Sequence, residues 1–169
     1  QKKGLAEADP TNDVCGYDAA RKLAILASIG FRANVTFDDV LVEGIEKISQ
    51  KDVQYASEMG YAIKLLAVGT RQDNGIALNV YPAFVPRTHP LASVKGSYNA
   101  IYVTGNIVDD VMFSGSGVGS LPTASADMAD VSSTAKHIMN DSTGTGMMLT
   151  ETKRIPCYSS LKLKNSYYF

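Results

Sequence analysis

Between residues 16 and 29 apolar side chains dominate, with Leu23, Ala24, Ile25, Leu26, Ala27 and Ile29 set among good helix formers. The pattern predicts a largely buried helix stopped by Gly30, in which Asp18, Arg21 and Lys22 stand out as charged exceptions. Before it, residues 1–13 are polar and turn-like. Residues 40–45 read as a short strand, and Ser49 reads as the cap of a helix over 52–59 that ends at Gly60. The periodicity then changes. Residues 63–68, 75–85 and 98–108 are β-branched and aromatic runs separated by polar or Pro/Gly turns. After a turn or bulge at Gly105 and Asn106, residues 111–113 pair back as a further strand. No helix separates these strands, which predicts an α+β fold: a largely antiparallel or mixed sheet covered by helices on one face. Glycines at 115, 117 and 119 lead into a helix from Pro122 to about His137. Residues 140–152 read as a linker and residues 158–169 as one last strand, with no internal repeat.

Composition narrows the function classes. A length of 169 residues suits one domain with a continuous core, and 45% hydrophobic with 20% charged residues is ordinary for a globular chain. The net charge of -1 and the scattered basic residues give no field for nucleic acid or an acidic membrane surface. No apolar stretch approaches the roughly 20 residues needed to cross a bilayer. The start lacks a secretory apolar segment, and Cys15 and Cys157 are too few for a disulfide framework, so the cytoplasm is the expected compartment. With neither an initiator methionine nor a tag, the chain reads as a fragment or a processed piece.

The sharpest chemical feature is acidic. Glu7, Asp13 and Asp18 lie close together, and Lys22 follows Asp18 by one helical turn on the same face. Carboxylates can hold a small zwitterion by its ammonium group while a partly desolvated lysine moves a proton. The same spacing also describes an ordinary surface ion pair beside a solvated helix entry. The glycine turn at 115–119 has the strand-to-helix context of a phosphate cradle, but no acidic residue closes a second strand about 20 positions on, as a dinucleotide fingerprint requires. A close-packed turn is the better account of it. Cys15 has no histidine nearby in sequence to act as its base, and no grouping at ligand spacing predicts a metal.

These residues carry a resemblance. Residues 7–14 (EADPTNDV) and 16–22 (GYDAARK) resemble the signature of homoserine dehydrogenases. The likeness continues through 42–45 (VEGI), 89–94 (HPLASV), 99–101 (NAI), 117–119 (GVG) and 122–125 (PTAS), covering roughly residues 1–140. It implies an oxidoreductase interconverting L-aspartate 4-semialdehyde and L-homoserine with NAD or NADP, in threonine, methionine and isoleucine biosynthesis. By matching position, Glu7, Asp13 and Asp18 would bind the substrate and Lys22 would be the proton donor. Gly4 and Gly119 would approach the cofactor, and the helix from Pro122 to His137 would pack on a nucleotide-binding domain. The resemblance further implies a homodimer. It divides the chain into a substrate-binding and dimerisation domain at 1–140 and, at 141–169, a linker that could open a regulatory domain. Two departures stand out: Cys15 replaces a carboxylate common in the family, and the N-terminal nucleotide-binding half is missing. The chain alone is therefore not expected to catalyse. A non-catalytic dimerisation or interaction domain is the rival reading.

Overall fold

The computed structural model describes residues 9–117, 119–142 and 155–158. Helix α1 (Thr11–Val14) occupies part of the stretch expected to be turn-like, and its preceding residue is Pro10, whose fixed φ suits a helix entry. Gly16 breaks the path at φ 79, a left-handed conformation open to glycine, and α2 (Tyr17–Phe31) begins. Gly30 does not stop α2. The helix runs through it and ends at Arg32, whose backbone is left-handed and donates to the Ser28 carbonyl.

A turn of 3-10 helix (Phe37–Asp39) leads to β1 (Leu41–Val42), which is much shorter than the expected strand at 40–45. Helix α3 (Gln50–Glu58) is capped by Ser49, which exchanges hydrogen bonds with Asp52 in a capping box. Strands β2 (Tyr61–Gln72) and β3 (Gly75–Pro86) form a hairpin across Asp73 and Asn74. After a second 3-10 turn (Pro90–Ser93) come β4 (Tyr98–Gly105) and β5 (Asp109–Ser116). The expected strand at 98–108 ends three residues early, because residues 106–108 form the turn and Asp109 takes φ 56. Helix α4 (Ser120–Met139) follows, and β6 (Cys157–Tyr158) stands where the last strand was expected to begin.

The fold is α+β. One sheet has the order β1-β3-β2, with β6 also on β3, and both β1 and β6 run parallel to β3. The other is the antiparallel pair β4-β5, in register from Tyr98 opposite Ser116 to Gly105 opposite Asp109. The sheets are therefore mixed overall. The parallel pairs arise because β1 and β6 are short segments delivered to β3 from far along the chain.

The described residues fall into two compact units. One holds residues 9–59, 63–84 and 155–158, and the other holds residues 60–62, 85–117 and 119–142. The first contains the hydrophobic core. Ala20, Leu23, Ala24, Ala27 and Ser28 form one buried stripe of α2 at helical spacing, facing Ile76, Leu78 and Val80 of β3. Ala33, Val35 and Val40 complete that cluster. Leu26 and Ile29 on α2 remain about two-fifths exposed, so the helix is buried on one stripe rather than on most faces.

Candidate active site

The residues singled out in sequence are carried by the start of α2 and the turn before it. Asp13 lies on α1 and is exposed. Its carbonyl accepts from the Gly16 N–H at 3.2 Å, which closes the turn between the two helices. Gly16 can be nothing larger without strain: besides its positive φ, an added Cβ would lie 3.0 Å from Val80 Cγ1 and 3.2 Å from Val42 Cγ1. Close packing of this turn on β1 and β3 sets where α2 starts.

One turn into α2, Lys22 Nζ stands 2.6 Å from Asp18 Oδ2. The structure thus brings together the pair that the spacing predicted. Both side chains keep access to solvent, 60% for Lys22 and 43% for Asp18, so the pair on its own adds little stability. Its interest is geometric: a cation and a carboxylate are held side by side at an open surface, the arrangement a zwitterionic ligand complements.

Arg21, next in sequence, points into a different environment. Its Nη1 donates to Asn12 Oδ1 at 3.2 Å, and its guanidinium lies 5.5 Å from the centre of the Phe37 ring. A shallow groove of about 330 Å³ flanks this part of α2, lined by Arg21, Ala24, Ile25, Ser28, Val35, Thr36 and Phe37. Asp13, Asp18 and Lys22 do not line it, so this groove and the charged pair are separate features.

Cys15 and Glu46 form a contact that sequence reasoning missed. The Cys15 thiol donates to Glu46 Oε1 at 3.0 Å, across a separation of 31 residues. The hydrogen bond to Glu46 pushes the thiol's pKa up, with further contributions from desolvation and from the charges of Glu46 and Asp9. The same bond is the main cause of a lowered pKa at Glu46, so the pair rests as thiol and carboxylate. That is the opposite of an activated cysteine nucleophile. Nothing in the local sequence flagged Glu46, since only the fold brings residue 46 to residue 15.

Glu7 and Gly4 lie outside the described residues. Gly119 belongs to the other unit, where it precedes α4 at φ 118, and its carbonyl accepts from the Thr123 hydroxyl at 2.9 Å. Gly117 shows why the turn is glycine-rich: an added Cβ would collide with the side-chain amide of Asn99. Its N–H donates to the Ser97 carbonyl at 3.2 Å. In the same unit His89 packs 4.8 Å from the Tyr102 ring, and its Nδ1 accepts from the Leu91 N–H. No group of three or more His, Cys, Asp or Glu side chains suited to a metal is found among the described residues. No described helix is long and apolar enough to cross a membrane.

Fold and site together define an α+β region with a cation–carboxylate pair at the start of its first long helix. The family model described as homoserine dehydrogenase matches residues 1–132, and the chain belongs to that family. It is 44% identical over 144 residues to a homoserine dehydrogenase of Bacillus subtilis, covering 85% of this chain and 33% of that protein. To one of Corynebacterium glutamicum it is 49% identical over 139 residues, covering 79% and 31%. The crystal structure of a homoserine dehydrogenase from Thiobacillus denitrificans superposes with a TM-score of 0.85 at 39% identity, covering 92% of this chain and 37% of that one. The chain thus spans about a third of the length of these relatives.

Proposed function

We propose that the chain is the substrate-binding, catalytic and dimerisation region of an oxidoreductase that interconverts L-aspartate 4-semialdehyde and L-homoserine, on the route to threonine, methionine and isoleucine. The observation that carries this reading is the Asp18–Lys22 pair, held at 2.6 Å in a chain of this family. Asp13 and Asp18, with Glu7, orient the substrate's ammonium group so that its carbonyl end faces Lys22. As the aldehyde is reduced, negative charge develops on its oxygen. The Lys22 ammonium stabilises that charge and gives up a proton to it, and in the reverse direction the amine takes the proton of the alcohol.

NAD or NADP would supply or take the hydride, held mostly by residues outside this chain. The part that this chain offers is backbone at Gly119, which precedes α4 at φ 118, together with Gly4. A nucleotide-binding domain closing over Lys22, which is 60% exposed here, would exclude water from it. We assign residues 1–140 to this substrate-binding and dimerisation region and residues 141–169 to a linker leading toward a regulatory domain, except that residues 155–158 return to β3. Neither a membrane nor a nucleic acid is a partner, and the enzyme works in the cytoplasm as a homodimer.

In the whole parent protein, Lys22→Ala should lower kcat for homoserine oxidation by about 100-fold or more while leaving the circular dichroism spectrum unchanged. Turnover within a factor of two of wild type would remove Lys22 from the role. If the folded parent protein neither binds nor turns over homoserine with either cofactor, a non-catalytic interaction domain becomes the better reading.

A further inference from the structure

The chain leaving β1 holds the turn between α1 and α2 from outside, and all of these residues lie in one compact unit. The Glu43 N–H donates to the Val80 carbonyl at 2.8 Å, which extends the hold of β1 on β3. Two residues later the Ile45 N–H donates to the Val14 carbonyl at 2.9 Å. Between them Gly44 comes so near that an added Cβ would lie 2.5 Å from the Val14 carbonyl oxygen and 2.7 Å from Cys15 Cα. Both obstacles are backbone, which cannot swing aside as a side chain can. Glu46 closes the grip, with Oε1 accepting from the Cys15 thiol and Oε2 lying against Gly44. On the opposite side Gly16 meets Val42 and Val80. The Cys15–Gly16 joint, which links Asp13 to the helix of Asp18 and Lys22, is therefore fixed from both directions.

We propose that Gly44 and Glu46 are positioning residues of the active site, setting the placement of Asp13 relative to the Asp18–Lys22 pair by clamping the Cys15–Gly16 joint. This rests on the functional reading above. Gly44 provides close approach of two backbones, and Glu46 provides the acceptor that keeps the thiol turned toward it. The contact depends on the proton of Cys15. A thiol facing the Glu46 carboxylate attracts it, whereas a thiolate would repel it and Asp9 as well. The raised thiol pKa keeps that proton in place through neutral pH.

Two readouts on the parent protein test the clamp: KM and kcat for homoserine measured separately, and iodoacetamide alkylation of Cys15 followed by peptide mass. Gly44→Ala should raise KM about tenfold or more and lower kcat as well, since small displacements of substrate-orienting groups are costly. Glu46→Ala should raise KM at least about threefold with kcat within about twofold. Glu46→Gln, whose amide oxygen still accepts from the thiol, should restore the KM. Both Glu46 variants should alkylate at least about threefold faster, because the neighbouring negative charge is gone. An unchanged KM in both Gly44→Ala and Glu46→Ala would overturn the proposal. Should Gly44→Ala fail to fold, the Glu46 pair of variants decides alone. A parent protein inactive on homoserine would sink the functional reading, and the alkylation rates would then judge the clamp: faster in both variants supports it, equal to wild type overturns it.

Discussion

In the unit built on α2 and β3, one stripe of the helix is buried against alternate residues of the strand, and Ile76, Leu78 and Val80 are almost fully enclosed. In the unit built on β4, β5 and α4, Val85 and Ala92 are buried, but the helix and much of the hairpin leave their apolar residues exposed. Helix α4 has no buried residue along its 20 positions, with Leu121 82% and Met139 86% exposed. On the hairpin, Ile101 lies opposite Phe113 and Val103 opposite Val111, so the four share one face of the ladder. Ile101, Val103 and Phe113 are all exposed. The two units put their apolar side chains to different ends. The first encloses many of them in a core, and the second offers them for covering by something else.

The contrast can be tested by perturbing each side. Leu78→Ala removes a wholly buried side chain and should cost about 2–5 kcal/mol, read as a lower urea midpoint. A loss below about 0.5 kcal/mol would mean that the β3 core is not what holds this unit. Phe113→Asp touches no buried packing and should act on assembly instead. If the hairpin face meets a second copy, the dimer dissociation constant should rise by roughly 30-fold, corresponding to about 2 kcal/mol at an interface anchor. Sedimentation of the parent protein would show this, and an unchanged association constant would free that face from the interface. The smallest effect belongs to the cap of α3. Ser49→Ala should cost roughly 1 kcal/mol. The Asp52 carboxyl is held below its ordinary pKa, first by the Ser49 hydroxyl and then by the Ser49 backbone. Its contribution is therefore complete above the ordinary carboxylate pKa and is lost as pH falls through the lowered one. A wild type and a Ser49→Ala variant whose stabilities converge in acid would fit this account. A gap between them that stays constant as pH falls from neutral through the acid range would contradict it.

What could be read in the sequence was local. The α2 helix, the Ser49 cap and the adjacency of Asp18 to Lys22 follow from spacings of three and four residues, which a helix converts directly into neighbours. The boundaries that moved have equally local causes. Gly30 is tolerated inside α2 because termination falls to Arg32 in a left-handed conformation, and Ile107 and Val108 look like strand but occupy a turn. The rest depended on long-range placement. Pairing of β1 with β3 joins Leu41 to Asn79, and no periodicity announces a parallel partner nearly 40 residues away. Glu46 reached the candidate site in the same way, through the exit of a two-residue strand. The Asp18–Lys22 pair was thus legible, while the contacts that hold the turn before it were not.

Helix α4 extends for about 30 Å at 1.5 Å per residue. A rod of that length with no side chain of its own enclosed has little to resist fraying from either end. Whatever docks along it would act as a splint, and the degree of splinting could be followed as slowed amide exchange or delayed protease nicking anywhere on its surface.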